Sequence, residues 1–215
     1  TVAPHLSCVG ASSAHLSSLL TTYRQQGIRQ LVALRGDLPS GMGQYGALQH
    51  ADQLVSFIRE QTGDWFHIHV AAYPEFHPQA RSSHEDIRHF ANKIKAGANS
   101  AITQYFFNKE AYFRFIDDVH KMGVETTIIP GIMPIMNSHH LLRFSDACGA
   151  DIPRWIRLRL LDYADDTTSI RAFGLDVVNR LCEDLLTGGA PGLHFYTLNQ
   201  AETVLKINQS LASLL

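Results

Sequence analysis

Short apolar runs alternate with longer amphipathic segments along the whole chain. Each run has the length of a buried strand, and each segment that follows it repeats apolar residues at helical spacing. The pattern predicts six strands, at residues 2–9, 30–36, 66–73, 99–106, 125–131 and 192–197. It predicts seven helices, near residues 13–26, 47–61, 83–96, 109–122, 138–148, 168–187 and 200–213. Regular alternation of strands and helices indicates a parallel sheet.

Polar or conformationally special residues stand where the predicted strands end. Arg35, Gly36 and Asp37 follow one apolar run, Tyr73 follows the next, and Gln104 follows a third. Eight-stranded α/β barrels carry their active sites at the carboxyl ends of the strands. We therefore expect a functional site at this end of the sheet.

Capping signals support the helix boundaries. Ser12-Ser13 and Asn108 stand at expected N-caps, since their side chains can accept hydrogen bonds from free backbone N–H groups. Gly27, Gly97 and Gly123 stand where helices are expected to end.

Six strands leave two explanations open, because an α/β barrel has eight strands and typically about 250 residues. The sheet is either open and doubly wound, or two N-terminal strand–helix units lie outside this sequence. The chain starts at Thr1 rather than at methionine, just before a strand, which favours the second explanation. The predicted fold is an α/β (β/α)8 TIM barrel with about six of its eight units in residues 1–215, as a single, N-terminally incomplete domain.

Composition narrows the possible functions. The 215 residues are 45% hydrophobic, enough for one domain with a substantial core. Eighteen basic and twenty acidic residues give no electrostatic signature of nucleic-acid or anionic-membrane binding. Cys8, Cys148 and Cys182 are widely spaced and odd in number, which favours reduced, buried thiols in a cytoplasmic protein over a disulfide or a metal role. No apolar run reaches the ~18 residues of a membrane span.

A set of motifs in a fixed order resembles the catalytic barrel of methylenetetrahydrofolate reductases. The motifs are Ala3–Cys8, Leu34–Pro39, Ala71–Glu75, His77-Pro78, Gly97–Asn99, Ile102–Phe107, Ile129–Pro134 and His194–Asn199. Each is weak alone, but together they span the chain. The resemblance implies FAD-dependent reduction of 5,10-methylenetetrahydrofolate to 5-methyltetrahydrofolate in one-carbon and methionine metabolism, with NADH or NADPH as electron donor. It implies a ping-pong cycle, a folate as small-molecule partner, neither nucleic acid nor membrane, and a homo-oligomer.

The same resemblance supplies candidate site residues. Family members begin with two further units that carry a general-acid glutamate, which we therefore expect upstream of Thr1. The flavin-contacting positions correspond to His5, Arg35, Gly36, Asp37, Ala51, Tyr73, His77, Ala80, Asp86, His89, Asn92 and Lys93. Arg35 can bind phosphate or flavin oxygens in fork geometry. A salt bridge to a neighbouring carboxylate is its alternative role.

Three residues carry the implied folate chemistry. Asp37 is the candidate catalytic residue, because a carboxylate near the pterin can stabilise the cationic iminium that forms when the methylene bridge opens; a turn or helix-cap aspartate is the alternative. Gln104 matches a pterin-binding glutamine; its alternative role is to form hydrogen bonds with backbone amides of a loop. Phe144 matches an aromatic residue that stacks on substrate or nicotinamide; its alternative role is to pack in the core.

Departures from the family pattern lie at four positions. His140 and Gln200 stand at two folate-binding positions of the family. His140 replaces a usual glutamine. Gln200 replaces an arginine that favours the folate glutamate tail, so tail binding is expected to be weaker or to depend on another residue. His89 and Asn92 stand where asparagine and arginine are common near the adenosine diphosphate. Lys93 keeps its positive charge there.

Two other functions compete with the reductase. His67 and His69 form an HxH pair like that of zinc-dependent barrel hydrolases. The pair opens its predicted strand instead of closing it, which argues against a metal role. The other alternative is a flavin-binding module without catalysis.

Overall fold

Parallel strands that follow one another in chain order form the centre of the molecule. The structure, a computed structural model, describes residues 2–37 and 46–212. One sheet holds β1 (His5–Ser7), β2 (Gln30–Leu34), β3 (His67–Ala72), β4 (Ser100–Thr103) and β5 (Thr127–Ile129), and a parallel pair holds β6 (Gly131–Ile132) and β7 (His194–Phe195). Within the five-stranded sheet each strand pairs with the next one along the chain, whereas a doubly wound sheet reverses its strand order at one point. The order and direction of the strands therefore confirm the barrel prediction.

The strands are shorter than predicted: β2, β3 and β4 end earlier because the residues at their carboxyl ends form loops, and β1 and β7 are shorter at both ends. The strand predicted at 125–131 is split at Pro130 into β5 and β6. Within the described residues, β1 pairs only with β2, and β7 pairs only with β6.

The predicted helices are confirmed, with one addition. They are α1 (Ser13–Gln25), α2 (Ala51–Thr62), α3 (Ser83–Lys95), α4 (Lys109–Lys121), α5 (Ser138–Cys148), α6 (Arg154–Asp162), α7 (Thr167–Thr187) and α8 (Ala201–Ser210). The end of the predicted segment 200–213 lies outside the described residues. The sequence prediction missed α6, which begins directly after Pro153. Proline at a helix start is a known signal, but three apolar side chains on the outer surface of α6 obscure its helical pattern.

The predicted caps are confirmed. The Ser12 side chain accepts a hydrogen bond from His15 N at 3.2 Å, and the Asn108 side chain accepts one from Glu110 N at 3.0 Å. Gly27, Gly97 and Gly123 follow their helices with φ angles of 72°, 113° and 71°. Glycine adopts these angles without the steric cost that other residues meet.

The core lies between the sheet and the helices. In β3, Ile68, Val70 and Ala72 are buried toward the helices, while His67, His69 and Ala71 alternate onto the other face. This period of two places the apolar residues of each strand against helix side chains such as Leu54 and Phe90.

Arg59, near the end of α2, joins α2 to the loops that precede β3 and β4. Its guanidinium donates to Gly97 O at 2.7 and 2.9 Å, to Phe66 O at 2.9 Å, and to Gly63 O at 3.0 Å. It also donates to Asn99 Oδ1 at 2.6 Å. The side chain is 17% exposed. One arginine thus satisfies three backbone carbonyl groups that no helix or strand uses.

Thr103, at the end of β4, fixes the position of β6 and β7. Its hydroxyl accepts a hydrogen bond from Gly131 N at 2.8 Å, and its carbonyl accepts one from Tyr196 Oη at 2.8 Å. A Cβ atom on Gly131 would lie 2.1 Å from Thr103 O, so glycine is required for this close approach. The contact places Tyr196 at the carboxyl end of the strands.

No helix within residues 2–37 and 46–212 combines the length and the apolar character needed to cross a membrane.

Candidate functional site

Two adjacent cavities open at the carboxyl ends of the strands, where the sequence predicted a site. The larger, of about 480 Å³, lies beyond β2 and β3 and is closed by α2 and α3. The smaller, of about 340 Å³, lies beyond β3, β4, β6 and β7 and is closed by α5. Asp37, Tyr73, His77 and Gln79 line both cavities. These four residues form the shared wall.

The larger cavity contains a buried cation. Lys93, on α3, donates from Nζ to Ala71 O at 2.5 Å. Burial lowers the pKa of Lys93 to about 8, although nearby Asp86 and Asp52 act in the opposite direction. Asp86 is itself held by His77 N, which donates to Oδ2 at 2.9 Å. A desolvated ammonium of this kind favours an anionic partner.

Arg35 lies next to the shared wall and contacts it through Gln79. Its Nη2 donates to Gln79 Oε1 at 2.8 Å, and its Nε donates to Gly36 O at 3.2 Å. Asp37 Oδ1 lies 4.0 Å from Arg35 Nη2, and the Asp37 side chain is fully exposed. The salt bridge anticipated as an alternative role for Arg35 is therefore present, while Arg35 also lines the larger cavity.

Gly36 allows the backbone of this loop to approach β1. It has a φ of 84°, and a Cβ atom there would lie 2.1 Å from Ser7 Oγ. Ser7 Oγ donates to Arg35 O at 2.9 Å, which fixes the turn that presents Arg35 and Asp37.

The wall residues Tyr73 and His77 pack edge to face, with ring centroids 4.6 Å apart. Burial, reinforced by the negative charge of Asp37, raises the pKa of Tyr73 to about 12. Burial lowers the pKa of His77, and its Nδ1 accepts a hydrogen bond from Gln79 N at 3.0 Å. The wall therefore offers a neutral phenol and an imidazole that favours its neutral form.

The smaller cavity is lined by apolar side chains and by side-chain amide groups. Gln104 Oε1 accepts from Tyr105 N at 3.0 Å, so the alternative role proposed for Gln104, satisfying a loop amide, is observed although the residue also lines the cavity. Phe144 on α5 lines the same cavity and is 41% exposed, so it is not a core residue. The hydroxyl groups of Tyr105 and Ser145 lie 3.0 Å apart and tie α5 to the end of β4.

Most of the predicted site residues line one of the cavities. In the larger cavity these are Arg35, Gly36, Asp37, Ala51, Tyr73, His77, Ala80, Asp86, His89 and Lys93; in the smaller they are Asp37, Tyr73, His77, Gln104 and Phe144. Their proposed ligand contacts stay predictions.

Four predicted residues line neither cavity. His5 lies on β1, Asn92 is exposed on α3, His140 is exposed in the first turn of α5, and Gln200 is the N-cap residue of α8. His140 N donates to Asn137 Oδ1 at 2.9 Å, which is part of the cap of α5.

Some lining residues were not predicted. They include His50, Asp52, Gln79, Arg81 and Glu85 in the larger cavity, and Tyr105, Met133, Cys148, Tyr196 and Leu198 in the smaller. Tyr105, Met133 and Tyr196 follow strands, so the strand-end rule could have found them. Arg81 adds a cation to the cavity that Asn92 does not line.

The HxH pair lies at the amino-terminal half of β3, away from both cavities. Ser100 Oγ lies 3.0 Å from His67 Nε2 and 2.7 Å from His69 Nδ1. Across the part of the chain that the structure describes, no group of three histidine, cysteine or acidic residues is placed to hold a metal ion. The hydrogen bonds to Ser100 give the two histidines a structural role.

Acidification is expected to destabilise the protein through this cluster. Burial, with repulsion from His67 and His194, lowers the pKa of His69, and burial together with His5 lowers that of His194. Their contribution to the free energy of unfolding is fully present above the unfolded pKa of about 6.5. It is lost as the pH falls through the lower pKa of the folded state. Thermal unfolding between pH 7.5 and 5.5 should show a smaller loss of Tm for His69→Gln than for the parent. The same loss in both proteins would contradict this origin, and His15→Gln, at an exposed site on α1, is the control.

Comparisons with known proteins agree with the fold and with the motifs. Residues 1–212 match the family model for methylenetetrahydrofolate reductase. The chain is 40% identical over 207 residues to 5,10-methylenetetrahydrofolate reductase of Buchnera aphidicola, covering 96% of this chain and 70% of the relative. It is 40% identical over 200 residues to the Escherichia coli K12 protein of the same name, covering 93% of this chain and 66% of the relative.

A solved structure shares the fold. It is an uncharacterised Clostridium thermocellum protein that binds two copies of 5-methyl-5,6,7,8-tetrahydrofolic acid. The TM-score is 0.62 at 18% identity, covering 98% of this chain and 71% of that one.

A barrel with paired cavities at the carboxyl ends of its strands is an arrangement typical of cofactor-dependent enzymes. The chain belongs to the methylenetetrahydrofolate reductase family, as its motifs predicted. It spans about two thirds of the length of these curated relatives.

Proposed function

We propose that this chain carries the cofactor and substrate sites of a reductase that converts 5,10-methylenetetrahydrofolate to 5-methyltetrahydrofolate, with FAD as cofactor and NADH or NADPH as electron donor. Membership of the family and the two cavities that share the Asp37 wall support this function. The observation that carries the proposal is the shared wall, because a hydride can pass only between groups held in contact.

The larger cavity fits the polar part of FAD. Its cations include the buried Lys93 as well as Arg35 and Arg81, and its wall offers the imidazole of His77, whose lowered pKa favours the neutral form. We assign the pyrophosphate to Lys93, because a buried ammonium recovers the energy of its desolvation when it pairs with an anion. Asp86 accepts a hydrogen bond from the backbone N–H of His77, and its negative charge favours the protonated form of Lys93.

The smaller cavity fits the bicyclic pterin and the nicotinamide in turn. Phe144, Met133 and Leu198 supply apolar surface, and Gln104 supplies an amide. When bound, FAD would accept a hydride from the nicotinamide and donate a hydride to the folate. Asp37 faces both cavities and stabilises positive charge on the opening folate, while Tyr73 and Phe144 exclude water from the contact.

Flavin binding is expected to weaken as the pH rises through about 8, the pKa of Lys93 in the free protein. Below this pH the ammonium is charged and pairs with the pyrophosphate; above it the free protein loses the proton, so the Kd of FAD rises. Lys93→Met should raise Kd on the order of 10- to 100-fold at pH 7 and remove much of the pH dependence. Titration followed by flavin fluorescence measures both effects.

Lys95→Met is the matched control, since Lys95 is exposed on the same helix. A protein that binds no FAD would refute the cofactor assignment. FAD binding without folate reduction, in a protein that includes the predicted upstream units, would instead favour the flavin-binding module.

The expectation of two further strand–helix units and of a general-acid glutamate stays a prediction. The coding sequence upstream of Thr1 tests it directly. We also propose a cytoplasmic location, because Cys8, Cys148 and Cys182 carry free thiols, which a reducing compartment preserves.

A further inference from the structure

The loop that follows β3 contains a residue in a strained backbone conformation. Phe76 has a φ of 117°, which a residue with a bulky side chain rarely adopts. Its side chain is 51% exposed and lines neither cavity, so burial of the ring compensates only partly for the strain. Strained residues persist only where their surroundings hold them, and they are concentrated at functional sites.

Hydrogen bonds hold the residues on both sides of Phe76. Before it, Glu75 Oε2 accepts a hydrogen bond at 2.8 Å from Asp151 N, in the loop between α5 and α6. After it, His77 N donates to Asp86 Oδ2 on α3 at 2.9 Å. Since α5 closes the smaller cavity and α3 closes the larger, the loop connects the elements that close the two cavities.

Glu75 holds the loop from outside both cavities. It lines neither of them, whereas Asp86 lines the larger. Burial raises the pKa of Glu75, although the hydrogen bond from Asp151 N acts in the opposite direction. The end of α5 also packs closely against this loop, because a Cβ atom on Gly149 would lie 2.8 Å from Pro78 Cγ. The half-buried carboxylate therefore belongs to a tightly packed junction.

The position of His77 depends on the backbone of Phe76. If the hydrogen bond to Glu75 is lost, Phe76 is free to relax to a negative φ, and the chain then enters His77 in a different direction. The His77 ring would move away from Tyr73, against which it packs at 4.6 Å, and His77 N would move away from Asp86. Both contacts form part of the larger cavity.

We propose that Glu75 is a positioning residue for flavin binding, which holds Phe76 in its strained conformation and thereby keeps His77 on the shared wall. This inference rests on the proposed function, because it takes FAD as the ligand of the larger cavity. With phenylalanine at position 76 the wall requires the Glu75 hydrogen bond. With glycine there it does not, because glycine adopts a positive φ without the steric cost.

Titration of the full-length encoded protein with FAD, followed by flavin fluorescence, tests the role of Glu75. Glu75→Ala should raise the Kd of FAD on the order of 10-fold, the effect of losing one hydrogen bond to a charged group. Glu75→Gln should leave the Kd close to that of the parent, because its amide oxygen still accepts from Asp151 N.

Asp166→Ala is the matched control. Asp166 also accepts hydrogen bonds from backbone N–H groups, those of Thr168 and Ser169 at the start of α7, and it lines neither cavity. Its removal should lower the Tm without changing the Kd of FAD. A general loss of stability is thereby separated from a displaced wall.

A second substitution, at position 76, separates strain from the loss of a contact. In the Glu75→Ala background, Phe76→Gly should recover most of the FAD affinity, whereas Phe76→Ala, which keeps the Cβ atom, should not. As single variants, Phe76→Gly should unfold at a higher urea concentration than Phe76→Ala, the reverse of the usual order of these two residues. Circular dichroism shows whether each variant is folded.

The outcomes distinguish this inference from the proposed function. A parent that binds no FAD would refute the cofactor assignment and this inference with it. A parent that binds FAD while Glu75→Ala binds it equally well would overturn the role of Glu75 alone. Recovery by both substitutions of Phe76, or by neither, would also overturn the proposal, because strain at the Cβ atom would then not be the cause.

Discussion

Replacing Asp37 with asparagine is expected to slow folate reduction by about 10²- to 10³-fold, the usual cost of losing one preorganised electrostatic contact. Reduction of the flavin by NADH or NADPH should change little, because that half-reaction creates no folate cation. Asp37 lines both cavities, so its charge acts where the folate opens. Stopped-flow absorbance separates the two half-reactions: flavin bleaching by the nicotinamide, then reoxidation by methylenetetrahydrofolate. The experiment uses protein shown to turn over.

The matched control is Asp52→Asn, since Asp52 lines the larger cavity but not the smaller. If Asp37 serves only as a turn or cap residue, the variant should lose stability and slow both half-reactions alike among the molecules that stay folded. Equal slowing of both phases would therefore refute the proposed role.

Arg59→Ala is expected to destabilise the fold by about 3 kcal/mol or more, because the partly buried carbonyl groups of Gly97 and Phe66 lose their donors at once. Arg59 donates to Gly97 O and Phe66 O and is only 17% exposed. Urea unfolding followed by circular dichroism measures the change. Arg59→Lys should fall between the variant and the parent, since an ammonium cannot reproduce the fork geometry.

Arg88→Ala is the control for the loss of a charge. Arg88 is 58% exposed and pairs with Glu85 at 3.8 Å, so its removal should cost about 0–1 kcal/mol. A cost for Arg59→Ala no larger than that of Arg88→Ala would show that the loop carbonyls find other donors, contrary to the role assigned here.

The strand order and the location of the site could be predicted from sequence because both follow from local patterns. Apolar runs separated by helices require parallel strands, and parallel strands bring their carboxyl ends to one edge. Arg35, Tyr73 and Gln104 stand at such ends, so counting along the chain was enough to group them.

Contacts that depend on tertiary packing could not be predicted in this way. Gln79 bonds to Arg35, 44 residues earlier, and no spacing rule connects the two. Helix α6 was missed because its outer face is apolar, and the sequence does not distinguish an apolar residue that faces solvent from one that faces the core. His140 and Gln200 were chosen by family position, but in this chain they lie at helix starts outside both cavities.

On either side of the shared wall, the two cavities are lined by residues from different parts of the sequence, which allows the two sites to evolve separately. All residues that line the larger cavity lie between Ala33 and Lys93, whereas every residue of the smaller cavity outside the wall, except Pro78, lies between Gln104 and Leu198. Under our assignment, mutations in the second half of the chain can therefore alter which molecule is reduced while the cofactor site is inherited unchanged. A library restricted to that half should yield new substrate preferences among variants that still purify with flavin.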